Sequence, residues 1–157
     1  MSRRWGAERP MRRIAIMIAV LILRTSPAPA GESAAAIIGV IPPKSVDLQQ
    51  LTCPCEFDLG KQIDGETALI VDHNGSDQAA FVQIDGSTLR LANSNAFRFH
   101  CTRREEITAS WKGGGATVRV KLKADGPGEE ACWFRGWISV TKGGRRETRR
   151  IIGGCGC

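Results

Sequence analysis

The sequence predicts an all-β domain, a small antiparallel up-and-down barrel or sandwich of about seven or eight short strands stapled by disulfides. Three observations predict it. Apolar and polar residues alternate with a period of two along "ATVRVKLKA", and no stretch after the first thirty residues carries a helical stripe. Turn signals punctuate the chain at Asn74-Gly75, Asp85-Gly86, Gly113-Gly114-Gly115 and Gly143-Gly144. Cysteine is frequent for a short chain, with six residues between Cys53 and Cys157.

Residues 1–30 read as a signal peptide. Arg3, Arg4, Arg9, Arg12 and Arg13 precede an unbroken apolar run from Ile14 to Leu23, and Ala28-Pro29-Ala30 supplies a small-x-small site. The run is too short to span a bilayer, which takes about 20 apolar residues. Cleavage after Ala30 would leave Gly31 as the mature start, and Met11 offers a second initiator in front of a complete leader. The expectation is therefore an exported protein, periplasmic or extracellular, with no stable membrane insertion once the leader is removed. Residues 31–47 show no firm period and contain Pro42-Pro43, so they read as an N-terminal arm or linker. The barrel domain is expected over residues 48–157.

The strands can be placed in order. "TALIVD" leads into the turn "HNGSDQ", and "AAFVQI" and "STLRLA" form a tight hairpin about Asp85-Gly86. "AFRFHC" is expected as a strand with Phe97, Phe99 and Cys101 on one side. "EITASW" and "ATVRVKLKA" flank the triple glycine, "ADGPGEE" reads as a loop, and "ACWFRGWISVTK" and "RRETRRII" make the last hairpin. The expected core is Leu69, Val71, Val82, Ile84, Leu89, Leu91, Val118, Val120, Leu122 and Ile138. Aromatic residues are few and Tyr is absent, so the core is small and disulfides would help hold it.

Cys53, Cys55, Cys101, Cys132, Cys155 and Cys157 form an even set in a small exported domain, which reads as disulfides. Residues i and i+2 of a strand point to the same side, so one Cys-x-Cys can face another on a neighbour. Two bridges between the doublets with Cys101–Cys132 as the third is the favoured arrangement. Pairing one member of each doublet with Cys101 and Cys132 is the alternative. The competing reading is a thiolate metal site at Cys53, Cys55, Cys155 and Cys157. The spacing differs from the Cys-x2-Cys of common zinc folds, and His73 and His100 stand apart from any second histidine, so no metal or other cofactor is expected.

Charge excludes one class of partner. The whole chain has a formal net charge of +6, but residues 1–30 hold six Arg and one Glu, which leaves 16 basic and 15 acidic residues afterwards. A domain near neutrality lacks the basic footprint of a nucleic-acid binder. The local basic run Lys142, Arg145, Arg146, Arg149 and Arg150 reads as a solvated strand face that could also touch an anionic partner.

No enzyme is expected. Asp72, His73, Ser76 and Asp77 sit together on a hairpin turn, where such residues are ordinary turn chemistry. Glu105-Glu106 and Glu129-Glu130 are adjacent in sequence rather than held across a cleft. "GGGATV" opens a strand and lacks the Lys-Ser/Thr ending of a phosphate loop. Trp133 and Trp137 are four apart on one strand and share a face, with Arg135 between them. They read either as an aromatic ladder for a sugar or a partner side chain, or as barrel core or a covering for the barrel mouth.

"AAFVQIDGSTLRL" and "SNAFRFHCTRREEITASWKGGGATVRV" together resemble the membrane-bound inhibitors of c-type lysozyme. The likeness covers about residues 79–120: a strand–Asp-Gly–strand hairpin, then a loop leading to a Trp-Lys-Gly run and another strand. It implies a small exported β-barrel whose partner is a lysozyme-like enzyme. It also implies that Ser94 and Lys112 enter the lysozyme cleft, with Arg98 as the arginine before an aromatic residue. The combined expectation is an exported binding module that uses Ser94, Arg98, Lys112, Trp133 and Trp137 toward a protein partner.

Overall fold

Strand after strand pairs with its neighbour in sequence. In the computed structural model, which describes residues 37–63, 65–95, 97–99, 106–127 and 131–156, the strands are β1 (Ile38–Gly39), β2 (Pro54–Leu59), β3 (Thr67–Asp72), β4 (Ala80–Ile84), β5 (Ser87–Asn93), β6 (Glu106–Gly113), β7 (Ala116–Pro127), β8 (Cys132–Lys142) and β9 (Arg145–Cys155). β9 returns to β2 in antiparallel register, with Cys55 opposite Cys155 and Leu59 opposite Ile151. That pairing closes an eight-stranded up-and-down barrel from β2 to β9. Of the two expected architectures, the barrel is the one formed. The signal-peptide residues, His100, Cys101 and Cys157 lie outside the described residues. Among the described residues, no helix is long and apolar enough to cross a membrane.

The period of two decides what fills the barrel. Leu69, Val71, Val82, Ile84, Leu91, Val118, Val120, Leu122 and Ile138 are buried as expected, joined by Phe57, Trp111, Phe134 and Ile151. Leu89 differs from expectation: it is only partly buried and packs against the core margin. Two inward glycines permit the strands to curl. A Cβ at Gly136 would collide with the Lys121 carbonyl oxygen, and one at Gly153 with the Glu56 carbonyl oxygen.

Both mouths of the barrel are covered. At one end Phe97 and Phe99 turn inward. Phe99 lies 5.9 Å from Phe57, 5.4 Å from Phe134 and 5.1 Å from His73, while Phe97 lies 5.3 Å from Trp111. These residues were expected in a strand, but 97–99 form none. Their alternation instead marks a plug whose aromatic rings reach β2, β6 and β8. The Trp111 Nε1–H donates to the Gln78 carbonyl at 2.8 Å, so the buried indole keeps its hydrogen bond.

At the other end the N-terminal arm docks from Ile37 onward. β1 pairs with the end of β4, beyond where β3 stops. Ile37, Ile38 and Ile41 are buried. The Ile37 and Ile38 amides both donate to Glu147 Oε2, the second at 2.9 Å. Burial of Glu147 opposes its charge, but hydrogen bonds from Ile38, Arg149 and Ile37 prevail and hold the carboxyl below its ordinary range.

The expected loop at Asp125-Gly126-Pro127 is instead the end of β7. A bulge between Ala124 and Gly126 absorbs the extra residue and keeps the pairing with β8. Cys55 and Cys155 form a disulfide across β2 and β9. Cys53 and Cys132 are also disulfide-bonded, and no described cysteine is free. One bridge between the two doublets is therefore present, and the rest of the expected pairing involves residues outside the described set.

Candidate functional site

A filled barrel with covered mouths leaves its outer wall as the main surface open to solvent. On β8 the buried residues are Phe134, Ile138 and Val140, so Trp133, Arg135 and Trp137 point outward. Trp133 is 40% and Trp137 44% exposed. This rejects the barrel-core alternative for the pair and keeps the shared face. Trp111, by contrast, is fully buried.

Register lays the outer residues out in rows. Lys121, Trp137 and Arg150 form one row across β7, β8 and β9. Lys123, Arg135 and Ile152 form the next, and Trp133 and Gly154 the one after. The Arg150 guanidinium stacks over the Trp137 ring, 4.8 Å from its centroid. Trp133 lies across Gly154: a Cβ there would sit 3.0 Å from Trp133 Cε3 and 3.2 Å from Cζ3. The six-membered ring of the indole therefore sits close beside the Gly154 backbone, in space that a side chain there would fill. Two grooves flank Ile152. One, of about 270 Å³, is lined by Lys61, Arg135, Gly136, Trp137 and Arg150. The other, of about 400 Å³, is lined by Glu56, Ile63, Trp133, Gly153 and Gly154.

The near-neutral sum over residues 31–157 hides a division of charge around the barrel. Residues 48–93, which supply β2 to β5, hold seven acidic and two basic residues; residues 106–157, which supply β6 to β9, hold ten basic and five acidic. Some of these cations are paired. Lys121 meets Glu106 at 3.0 Å, Arg135 meets Asp125, and Lys142 and Arg145 reach Asp85 across the mouth at 3.3 and 2.7 Å. The Arg145 hydrogen bond is the main cause that holds the Asp85 carboxyl below its ordinary range; desolvation opposes it and Lys142 assists. Among the described residues, no carboxylate pairs with Lys61, Lys112, Arg119, Lys123, Arg146 or Arg150. Of the basic run at 142–150, Arg146 and Arg150 thus remain open on the outer wall, while the others fasten the barrel end.

The residues suggested by the family resemblance are only partly brought together. Ala92 faces Lys112 across β5 and β6, and the Ser94 amide donates to the Ser110 carbonyl at 2.9 Å. Ser94 and Lys112 are therefore diagonal neighbours on the outer face. The Ser94 hydroxyl is engaged, at 2.7 Å from the Ser110 hydroxyl. Asn95 Oδ1 accepts from the Ser110 amide at 2.6 Å and extends the ladder by a side chain. Arg98 is exposed beyond β5 and lines a polar groove of about 590 Å³ with His73, Asn74, Asp77, Gln78 and Asn93.

The turn residues considered for catalysis have structural work. The Asp72 carboxylate accepts from the Thr52 amide at 2.9 Å, and Asp77 pairs with Arg90. Cys53, Cys55 and Cys155 are in disulfides, so they are not thiolates available to a metal in this structure. Sequence reasoning missed Arg150 over Trp137 and the grooves beside Ile152, because both depend on which strands become neighbours. Comparison with known proteins adds no identity: no family model, no curated protein and no solved structure matches the chain.

Proposed function

We propose that the protein is an exported, disulfide-stapled binding module, not an enzyme, that holds a macromolecule on the outer wall of β6 to β9. The observation that carries this reading is the coincidence on one wall of two exposed tryptophans with cations that no described carboxylate neutralises. Exposed large apolar groups grouped beside grooves mark interaction sites. The test uses natively exported, oxidised protein whose mass shows a start at Gly31. It is titrated against c-type lysozyme and against polyanions, alongside Trp133→Ala/Trp137→Ala. Binding lost in the variant at unchanged thermal stability supports the reading. Binding retained by the variant, or none with any probe, removes it.

A second, sharper reading is inhibition of a c-type lysozyme. Its support is that Ser94 and Lys112 are diagonal neighbours on the outer face, with Lys112 free of any described carboxylate. A cation offered to the paired carboxylates of a glycosidase cleft is favourable on charge grounds. Inhibition of lysozyme that weakens about tenfold in Lys112→Ala supports it, the scale of one charge-assisted contact. No inhibition by the native protein removes it.

A further inference from the structure

We infer that the two grooves beside Ile152 form one track for an anionic glycan, a chain of sugar rings that carry carboxylate, sulfate or phosphate groups. The inference rests on the binding-module reading and names the ligand of that wall.

The two subsites differ in chemistry. Trp133 offers an apolar ring beside Gly154, where the absence of a side chain leaves room for it, and it is 40% exposed. In the groove beside it Gly153, Gly154 and Gly156 contribute backbone alone, while Glu56, Asp58, Ile63 and Thr67 line the rest. A flat ring with an apolar face fits such a groove. The neighbouring groove is an anion site. Trp137 holds the Arg150 guanidinium by stacking, which orients its N–H fork without consuming its donors. Lys61 lines the same groove and has no carboxylate partner among the described residues. Arg135 also lines it, but Asp125 occupies its guanidinium. Two available cations about one groove call for an anion, and the bidentate fork of Arg150 suits a carboxylate, sulfate or phosphate oxygen pair.

Trp133 and Trp137 are four residues apart on β8, a separation of about 13 Å along a strand. A ligand that uses both subsites is therefore a chain, with a ring at one end of the span and an anionic group at the other. An aqueous, exported setting favours a glycan over a nucleic acid.

The test is titration of oxidised mature protein by tryptophan fluorescence with polygalacturonate, dextran, polyglutamate and oligo-dT. Trp133 and Trp137 are the exposed reporters, while Trp111 is buried. Polygalacturonate is expected to bind and dextran is not. Trp133→Ala and Arg150→Ala are each expected to weaken binding about tenfold, the scale of one stacked ring or one charge-assisted contact. Arg119→Ala, the same charge change outside both grooves, is expected to cost less than about threefold because of screening. Equal losses in Arg119→Ala and Arg150→Ala would mean diffuse attraction and would overturn the proposal. So would binding of dextran, or binding of polyglutamate or oligo-dT as tight as that of the glycan. If every polyanion fails while lysozyme still binds through this wall, the glycan is wrong and the module stands. If lysozyme fails too, both fall.

Discussion

Cys55 and Cys155 face each other across β2 and β9, the one strand pair that joins the two ends of the barrel, and a disulfide links them over a sequence separation of 100. The bridge sits on the seam, where strands far apart in the chain must find each other.

Removing that bridge is expected to loosen the seam before any other pair. Cys55→Ser/Cys155→Ser should lose about 3 kcal/mol of stability, on the scale of loop-closure entropy for long loops. Urea unfolding without reductant measures it. A loss below about 1 kcal/mol would mean that the ladder alone closes the barrel.

The curl of the barrel depends on two missing side chains. Gly136→Ala and Gly153→Ala drive a methyl into the Lys121 and Glu56 carbonyls, so each should cost about 3 kcal/mol. Gly156→Ala, where a Cβ meets nothing within 4 Å, should change stability by less than about 0.5 kcal/mol. Equal effects at all three positions in thermal unfolding would contradict this account.

The tryptophans should separate by role. Trp111→Phe leaves the Gln78 carbonyl without its indole donor and should cost about 2 kcal/mol. Trp137→Ala, on the outer wall, should cost less than about 1 kcal/mol while it weakens ligand binding. Paired denaturation and binding curves check the contrast.

Glu147 makes docking of the arm sensitive to acid. Its carboxyl is held below the ordinary glutamate range in the folded state. The contribution of its ionised form is therefore complete above the ordinary glutamate pKa, about 4.3, and is lost as pH falls through the lower folded value. The protection of the Ile37 and Ile38 amides, measured as hydrogen exchange relative to the intrinsic rate at each pH, should fall on acidification through that window. Glu147→Gln should exchange faster at neutral pH and show a flatter response to acid. An identical pH response in wild type and Glu147→Gln would contradict the assignment.

Much of this barrel is legible from residue parity. Ala116, Val118, Val120 and Leu122 alternate so regularly that β7 and its buried face can be read directly, and the glycine pairs mark the hairpins. Parity fails where chain chemistry and partner geometry compete. Asp125-Gly126-Pro127 has loop composition, yet a bulge carries it into β7. Phe97 and Phe99 alternate like strand residues, yet no strand pairs with them and they plug the mouth. For Trp133 and Trp137 a period of two gives a common face without saying which. The apolar set of opposite parity, Phe134, Ile138 and Val140, was the signal that they point outward. Net charge is a coarser signal than its distribution. A sum near zero over residues 31–157 conceals an acidic stretch at 48–93 and a basic one at 106–157, and the meander carries that division from the sequence into the barrel wall.

Closure by β2 against β9 also sets a schedule. During synthesis the ribosome delivers β2 about a hundred residues before its partner, and growing chains emerge at about 5–20 residues per second. For that interval β2 has one of its two neighbours at most, and the interior side chains of a half-wound sheet face water. Meander hairpins can form early because their contacts are local, but the barrel itself can appear only after β9 arrives. A nascent chain built this way stays unclosed for nearly the whole of its production.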